Sequence, residues 1–212
     1  MKKLMLIVVS LTFMANYSIA QGNRTDFREK LQFGLKVGAN YSNVYDSQGE
    51  AFNANSKFGL AAGAFLAIPI TKYIGFQPEI LFSQKGFQAT GRILGSEYNF
   101  TRTTSYIDIP LLFSVKPSAI VTLLVGPQYS YLVHQKDVFV NAATSSQQEQ
   151  EFKNDNIRKN ILCFLGGADF NLNNIVLGAR IGWDIQNNNG DGTVTTPRYK
   201  NVWYQATIGF RL

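Results

Sequence analysis

Eight segments of this chain carry an apolar residue at every second position, and no charged residue falls on any of the eight apolar faces. In the first, Leu31 to Ser42, Phe33, Leu35, Val37, Ala39 and Tyr41 share one face while Gln32, Gly34, Lys36, Gly38, Asn40 and Ser42 share the other. The other seven put Phe58 to Ile68, Ile74 to Phe82, Ile107 to Val115, Val121 to Val133, Leu162 to Leu172, Ile175 to Ile185 and Val202 to Leu212 on common faces. A period of two over ten residues or so is a strand long enough to cross a bilayer at a tilt. The connections alternate as well. Tight turns are expected at 70–72, 116–118 and 173–174, and long polar loops at 43–57, 87–100, 134–159 and 187–201. Short turns at one end, long loops at the other and an even strand count describe an all-β, eight-stranded, antiparallel up-and-down transmembrane barrel with both termini on the periplasmic side.

A soluble barrel with a greasy interior shows the same alternation in the opposite sense, so residue size has to decide which face is wet. The polar faces carry Gly34, Gly38, Gly59, Gly63, Gly75, Gly126, Gly167, Gly178, Gly182 and Gly209. Glycine weakens a strand unless close packing requires it, and an eight-stranded barrel is only wide enough to be filled by its own side chains. Small residues interleaved with large ones therefore belong inside. The uncharged faces suit hydrocarbon, where a basic residue at the midplane costs about 2–4 kcal/mol. Their aromatics form two expected girdles: Tyr41, Phe58, Tyr131, Trp183 and Tyr204 toward the long loops, and Phe33, Phe113, Phe170 and Phe210 toward the short turns. Pro78, Pro110 and Pro127 lie inside strands. A closed barrel has no edge to excuse a missing donor, so local bulges are expected there, the alternative being that one of those strands is broken or shorter.

Residues 1–20 read as a secretory signal peptide, with Lys2 and Lys3, an apolar stretch to Ala15, and Ser18-Ile19-Ala20 as the cleavage site before a barrel domain of residues 21–212. Gln21, not a Cys, stands directly after that site, so a lipid anchor is not expected. Without Lys2 and Lys3 the chain keeps 18 basic residues against 14 acidic ones, scattered along its length, which is no footprint for nucleic acid. The one cysteine, Cys163, excludes an intrachain disulfide and a cysteine-based metal site. It falls on the lumen side, as a buried inert thiol.

Gln77-Pro78-Glu79-Ile80-Leu81-Phe82-Ser83-Gln84-Lys85-Gly86, Tyr106-Ile107-Asp108-Ile109-Pro110-Leu111-Leu112, Gly126-Pro127-Gln128-Tyr129 and Ala179-Arg180-Ile181-Gly182-Trp183 resemble the PorT-like outer-membrane β-barrel family of Bacteroidetes-type bacteria. The opening Gly34 to Ser42 resembles that family's first strand. The resemblance covers nearly the whole mature chain. It implies an eight-stranded outer-membrane barrel and, for the name-giving branch alone, a part in protein secretion to the cell surface.

Parity places Lys36, Glu79, Lys85, Asp108, Asp169, Arg180, Asp184 and Arg211 in the lumen. Four basic and four acidic residues suit a charge-paired plug, since buried charge is tolerable only when paired and hydrogen-bonded; a selective polar pore is the alternative. His134, the one histidine, follows strand five at the outer rim near Asp137 and Ser130. A solvated rim residue is the expectation there, and a rim hydrolase the alternative. Asn187 to Gly192 partly echoes a calcium loop, but Arg198 stands where a bidentate Glu is needed, so turn chemistry is expected and no metal or other cofactor. Residues 142–150 read as a flexible surface loop. The expected partners are outer-membrane lipid and, through the outer loops, envelope or extracellular proteins; the expected role is a structural or interaction platform without catalytic residues.

Overall fold

A computed structural model describes residues 26–46, 54–93, 96–141, 145–150, 158–188 and 199–212. The expected signal peptide, most of the calcium-like loop and residues 142–144 of the expected 142–150 loop lie outside those residues. The described residues form β1 (Gln32–Asp46), β2 (Ala54–Pro69), β3 (Ile74–Ile93), β4 (Ser96–Val115), β5 (Val121–Asn141), β6 (Ser145–Gln150), β7 (Asn160–Leu172), β8 (Ile175–Asp184) and β9 (Tyr199–Arg211). Each pairs antiparallel with its neighbours, and β9 returns to β1. The ring closes because β5 pairs with β4 on one side and with β7 on the other. β6 occupies the same side of β5 as β7, opposite Gln135 to Val140, whereas β7 runs opposite Val121 to Tyr131. They are successive halves of one barrel position, so nine strands make an eight-stranded closed barrel.

The faces fall as parity requires. Leu35, Leu123 and Ile181 are 53%, 48% and 37% exposed on the outer surface, while Trp203, Tyr106 and Leu112 are essentially inaccessible inside. Both aromatic groups lie outside too, with the Tyr41 ring tilted against Phe58 at 4.8 Å between ring centres and Trp183 tilted against Phe164 at 5.4 Å. Phe33 and Tyr41 are eight residues apart on β1, about 27 Å along the strand. At an ordinary tilt that is about 21 Å along the barrel axis, close to the apolar band of such barrels. Two glycines make room inside: a Cβ at Gly34 would sit 2.4 Å from the Phe65 ring, and one at Gly182 would sit 2.3 Å from the Trp203 indole. Small residues on the lumen face thus clear volume for large ones across the axis.

Two expectations are corrected. The prolines carry no bulge: Pro78 opposite Leu111 and Leu81 opposite Asp108 keep one register, as do Pro110 opposite Gln128 and Phe113 opposite Val125, and Pro127 sits within an unbroken β5–β7 register. The ladder omits two pairs beside Pro78 and two beside Pro110 and continues. The register shifts lie elsewhere, between Ser56 and Ala61 against β3 and at Val133, which has no partner between Ser105–His134 and Tyr106–Leu132. Near the first, Gly86 takes φ 149°, a value that L side chains rarely adopt, and Ser42 Oγ both accepts from Gly86 N–H and donates to its carbonyl, each at 2.9 Å.

The second correction concerns length. β3, β4 and β5 have 20, 20 and 21 residues, about twice what a bilayer needs, so 87–93, 96–100 and 134–141 are strand where long polar loops were expected. Residues 145–150 are strand as well. Beyond the bilayer neither face meets lipid, so the apolar alternation that marks a membrane strand has no reason to persist. The outcome is a wall of paired strands standing above one side of the barrel.

Candidate functional site

The lumen is the site the sequence singles out, and it is filled. All eight expected charged residues are buried inside it. Toward the short-turn end, Glu79 of β3 accepts from Lys36 of β1 through a short Nζ–Oε2 contact and from Arg180 Nη1 of β8 at 2.7 Å. Arg180 Nη2 then reaches both carboxylate oxygens of Asp169 on β7 at 3.2 Å. Gln77 Nε2 donates to Glu79 Oε1 at 2.9 Å, closing the four-charge group. Two cations and two carboxylates, with side chains at most 6% exposed, leave no net charge there.

Toward the outer end a second pair forms, Lys85 Nζ to Asp108 Oδ2 at 3.0 Å. Lys85 also lies 3.8 Å from the centre of a Trp203 ring and 4.8 Å from that of Tyr106, a cation–π arrangement inside a water-poor space. Between the four-charge group and this pair lies a layer of uncharged groups: Asn40 Nδ2 donates to Ser83 Oγ and the Gln84 carbonyl, and Gln205 Nε2 donates to Asn40 Oδ1, each at 2.9 Å. Around this lie Tyr106, Leu112, Leu124, Leu132, Ile161, Leu165 and Trp203, buried in one apolar cluster. Polar and apolar side chains together occupy the axis.

Two of the eight charges lack an ionic partner among the described residues. Asp184 accepts instead from Asn201 N–H at 2.8 Å, Asn201 Nδ2 at 2.6 Å, Asn188 Nδ2 at 3.2 Å and Cys163 Sγ at 3.2 Å. Arg211 donates to the Asn173 carbonyl at 3.2 Å and to Asn171 Oδ1. The equal count of signs thus resolves into six paired charges and two held by neutral groups. Cys163, fully buried, acts as a minor donor between Asp184 and Ser130.

The outer rim holds a cluster that sequence reading missed. Arg102 clamps Asp137 through Nε and Nη2 at 2.8 and 2.7 Å, and its Nη1 donates to the Tyr199 hydroxyl at 2.9 Å. Tyr199 packs edge-on against Phe87 at 5.4 Å between ring centres. These residues tie β3, β4 and β5 to the start of β9. Of these only Asp137 stood out in the sequence, as a neighbour of His134; nothing points to Arg102, Tyr199 or Phe87, because each lies in a segment without alternation. His134 sits beside the Val133 irregularity, half-buried, and its expected partners are engaged elsewhere: Asp137 by Arg102 and Gln135, Ser130 by Lys85, Gln128 and Cys163. Among the described residues the geometry brings no nucleophile and base together at that rim. Asn188, at the edge of the calcium-like stretch, is spent on Asp184 and the Tyr199 carbonyl.

Comparisons with known proteins agree with this architecture. The crystal structure of Ail, the attachment invasion locus protein of Yersinia pestis, aligns with a TM-score of 0.51 at 13% identity, over 85% of this chain and 98% of that one. Ail in complex with the heparin analogue sucrose octasulfate aligns with a TM-score of 0.50 at 14% identity, over 86% and 99%. Neisserial surface protein A gives a TM-score of 0.46 at 12% identity, over 85% and 97%. No curated protein matches the sequence. The sequence family described as outer membrane protein beta-barrel domain matches residues 19–190, most of the chain. With its apolar face outward and its ion pairs along the axis, this chain is an outer-membrane protein and belongs to the outer membrane protein beta-barrel domain family.

Proposed function

We propose that the protein is a structural and interaction platform: a plugged barrel that anchors an outer wall and its loops for contact with envelope or extracellular proteins. The observation that carries this reading is the contrast between a lumen packed by buried ion pairs and aromatics and three strands twice the length a bilayer requires. A conducting pore would need that axis open, and a rim enzyme would need oriented partners for His134. Cleavage after Ala20 fits the same route to the outer membrane. The Pro-Glu and Ile-Pro-Leu-Leu segments, which resemble those of PorT-like barrels, support a second reading in which the partner is a component of a secretion machine.

Photo-cross-linkers placed at Gln88 and Thr90, exposed on the β3 extension, test both. In intact outer membranes they are expected to give discrete protein adducts that a cross-linker at lipid-facing Leu123 does not. A secretion component in the adduct favours the second reading. Absence of adducts from either position, together with stable single-channel conductance in a planar bilayer, would overturn the platform.

A further inference from the structure

At the short-turn mouth the chain folds over its own barrel. Residues 26–31 cross the opening, held where Lys116 Nζ donates to the Arg28 carbonyl at 3.1 Å, where Gln32 Nε2 donates to the Phe27 carbonyl, and where the Arg211 guanidinium lies over the Phe27 ring at 5.7 Å. Beneath this strap a narrow cleft opens to solvent, bounded by Arg28, Gln32, Lys116, Asn171 and Arg211, with Asp169 among its lining residues.

Its charge is not balanced. Lys116 and Arg211 are 4% and 8% exposed, yet among the described residues neither has a carboxylate within ion-pair distance. Their partners are neutral oxygens: the Arg28 carbonyl for Lys116, the Asn173 carbonyl and Asn171 amide for Arg211. Arg211 Nε has no partner at all. The two nearby carboxylates are committed, Asp26 to Arg28 at 2.7 Å and Asp169 to Arg180. Burial, with Arg211 and Arg28 nearby, holds the Lys116 amine below its ordinary range. Two sequestered cations facing an open pocket without a counter-charge are costly in a finished fold, and an anion is what removes that cost.

We propose that this mouth is a binding site for a phosphate-class oxyanion, gripped by Lys116 and Arg211 beneath the 26–31 strap. Arginine offers a planar fork and lysine a point charge, the pairing that suits a tetrahedral anion with several acceptor oxygens. Two sources carry that chemistry here, free phosphate from the periplasm and a phospholipid headgroup of the inner leaflet. The second is within reach because Ile70 and Tyr73, 63% and 57% exposed at the same rim, sit where an interface begins.

The experiment is a phosphorus NMR titration of inorganic phosphate into the full-length barrel folded in dodecyl maltoside, a detergent without phosphate. Line broadening that saturates is expected for the native chain. Lys116→Gln and Arg211→Gln, each checked for native heat-modifiable gel mobility, should each weaken binding about tenfold or more, the effect of one charge-assisted contact. Lys57→Gln, at the opposite end of the barrel, should leave it unchanged. Doping the micelles with phosphatidylglycerol separates the sources: displacement of phosphate assigns the site to a headgroup, and undiminished binding assigns it to free phosphate. No saturation by about 50 mM phosphate, an affinity that both pocket variants retain, or an equal loss in Lys57→Gln would overturn the proposal.

Discussion

Glu79→Gln is the sharpest perturbation of the lumen. Glu79 is the one carboxylate within ion-pair distance of Lys36 among the described residues, and it also holds one arm of Arg180. The substitution keeps shape and removes charge, leaving Lys36 buried and ionically unpaired while Arg180 falls back on Asp169. Breaking a buried pair by removing one member costs about 3–5 kcal/mol, because the orphaned charge cannot be rehydrated. Asp169→Asn should cost less, about 1–3 kcal/mol, since Arg180 keeps Glu79. The double variant Lys36→Met/Glu79→Gln removes the orphan along with its partner and should recover about 1–3 kcal/mol of the single loss. Urea unfolding from lipid vesicles, followed by tryptophan emission, reads all three. If Glu79→Gln lies within about 0.5 kcal/mol of the native protein, or the double variant is worse than the single, the lumen charges are not coupled as the distances imply.

Other consequences follow from the packing and the rim. Gly182→Ala brings a methyl carbon to 2.3 Å from the Trp203 ring and 2.8 Å from Leu165, and should destabilise the barrel by about 1–3 kcal/mol in the same assay, with Trp203→Phe relieving part of it. Arg102→Ala frees Asp137 and the Tyr199 hydroxyl at the outer wall; faster amide exchange is expected across 99–104 and 134–138, with the exchange of β8 unchanged. At the inner mouth, Arg28 holds the Asp26 carboxyl down to about 2 from its ordinary 3.8. A depressed carboxylate contributes stability that is complete above about pH 4 and is lost as pH falls through about 2. Protection of the 27–31 amides, relative to their intrinsic exchange at each pH, should therefore fall in that window and stay flat from pH 5 to 8, with a small amplitude because the pair is exposed.

How much of this was legible follows the environment each residue meets. Leu35, Leu123 and Ile181 could be placed outside before any coordinates, because lipid tolerates no charge and an eight-stranded interior requires small residues such as Gly34 and Gly182 beside large ones. The burial of Lys36, Glu79 and Arg180 was legible from parity alone. Their partnership was not, since contacts across the axis depend on register, and register is offset at Gly86 and Val133 by irregularities that alternation does not reveal. The prolines misled: beside Pro78 and Pro110 the ladder drops two pairs each time without inserting a residue. The wall above the membrane was invisible for the reason that makes the membrane strands visible. Arg102 and Asp137 sit in strands with water or protein on either side, so polar residues occupy both parities.

The orientation of the faces is tested most directly by the two tryptophans, one on each side of the barrel wall. Trp183 is 37% exposed among the outward residues and Trp203 is 1% exposed in the lumen. In vesicles of brominated phospholipid, the Trp203→Phe variant, which keeps only Trp183, should lose most of its fluorescence, and the Trp183→Phe variant, which keeps only Trp203, should lose little. Strong quenching of Trp203 with Trp183 spared would contradict an apolar face turned to lipid around a packed polar axis.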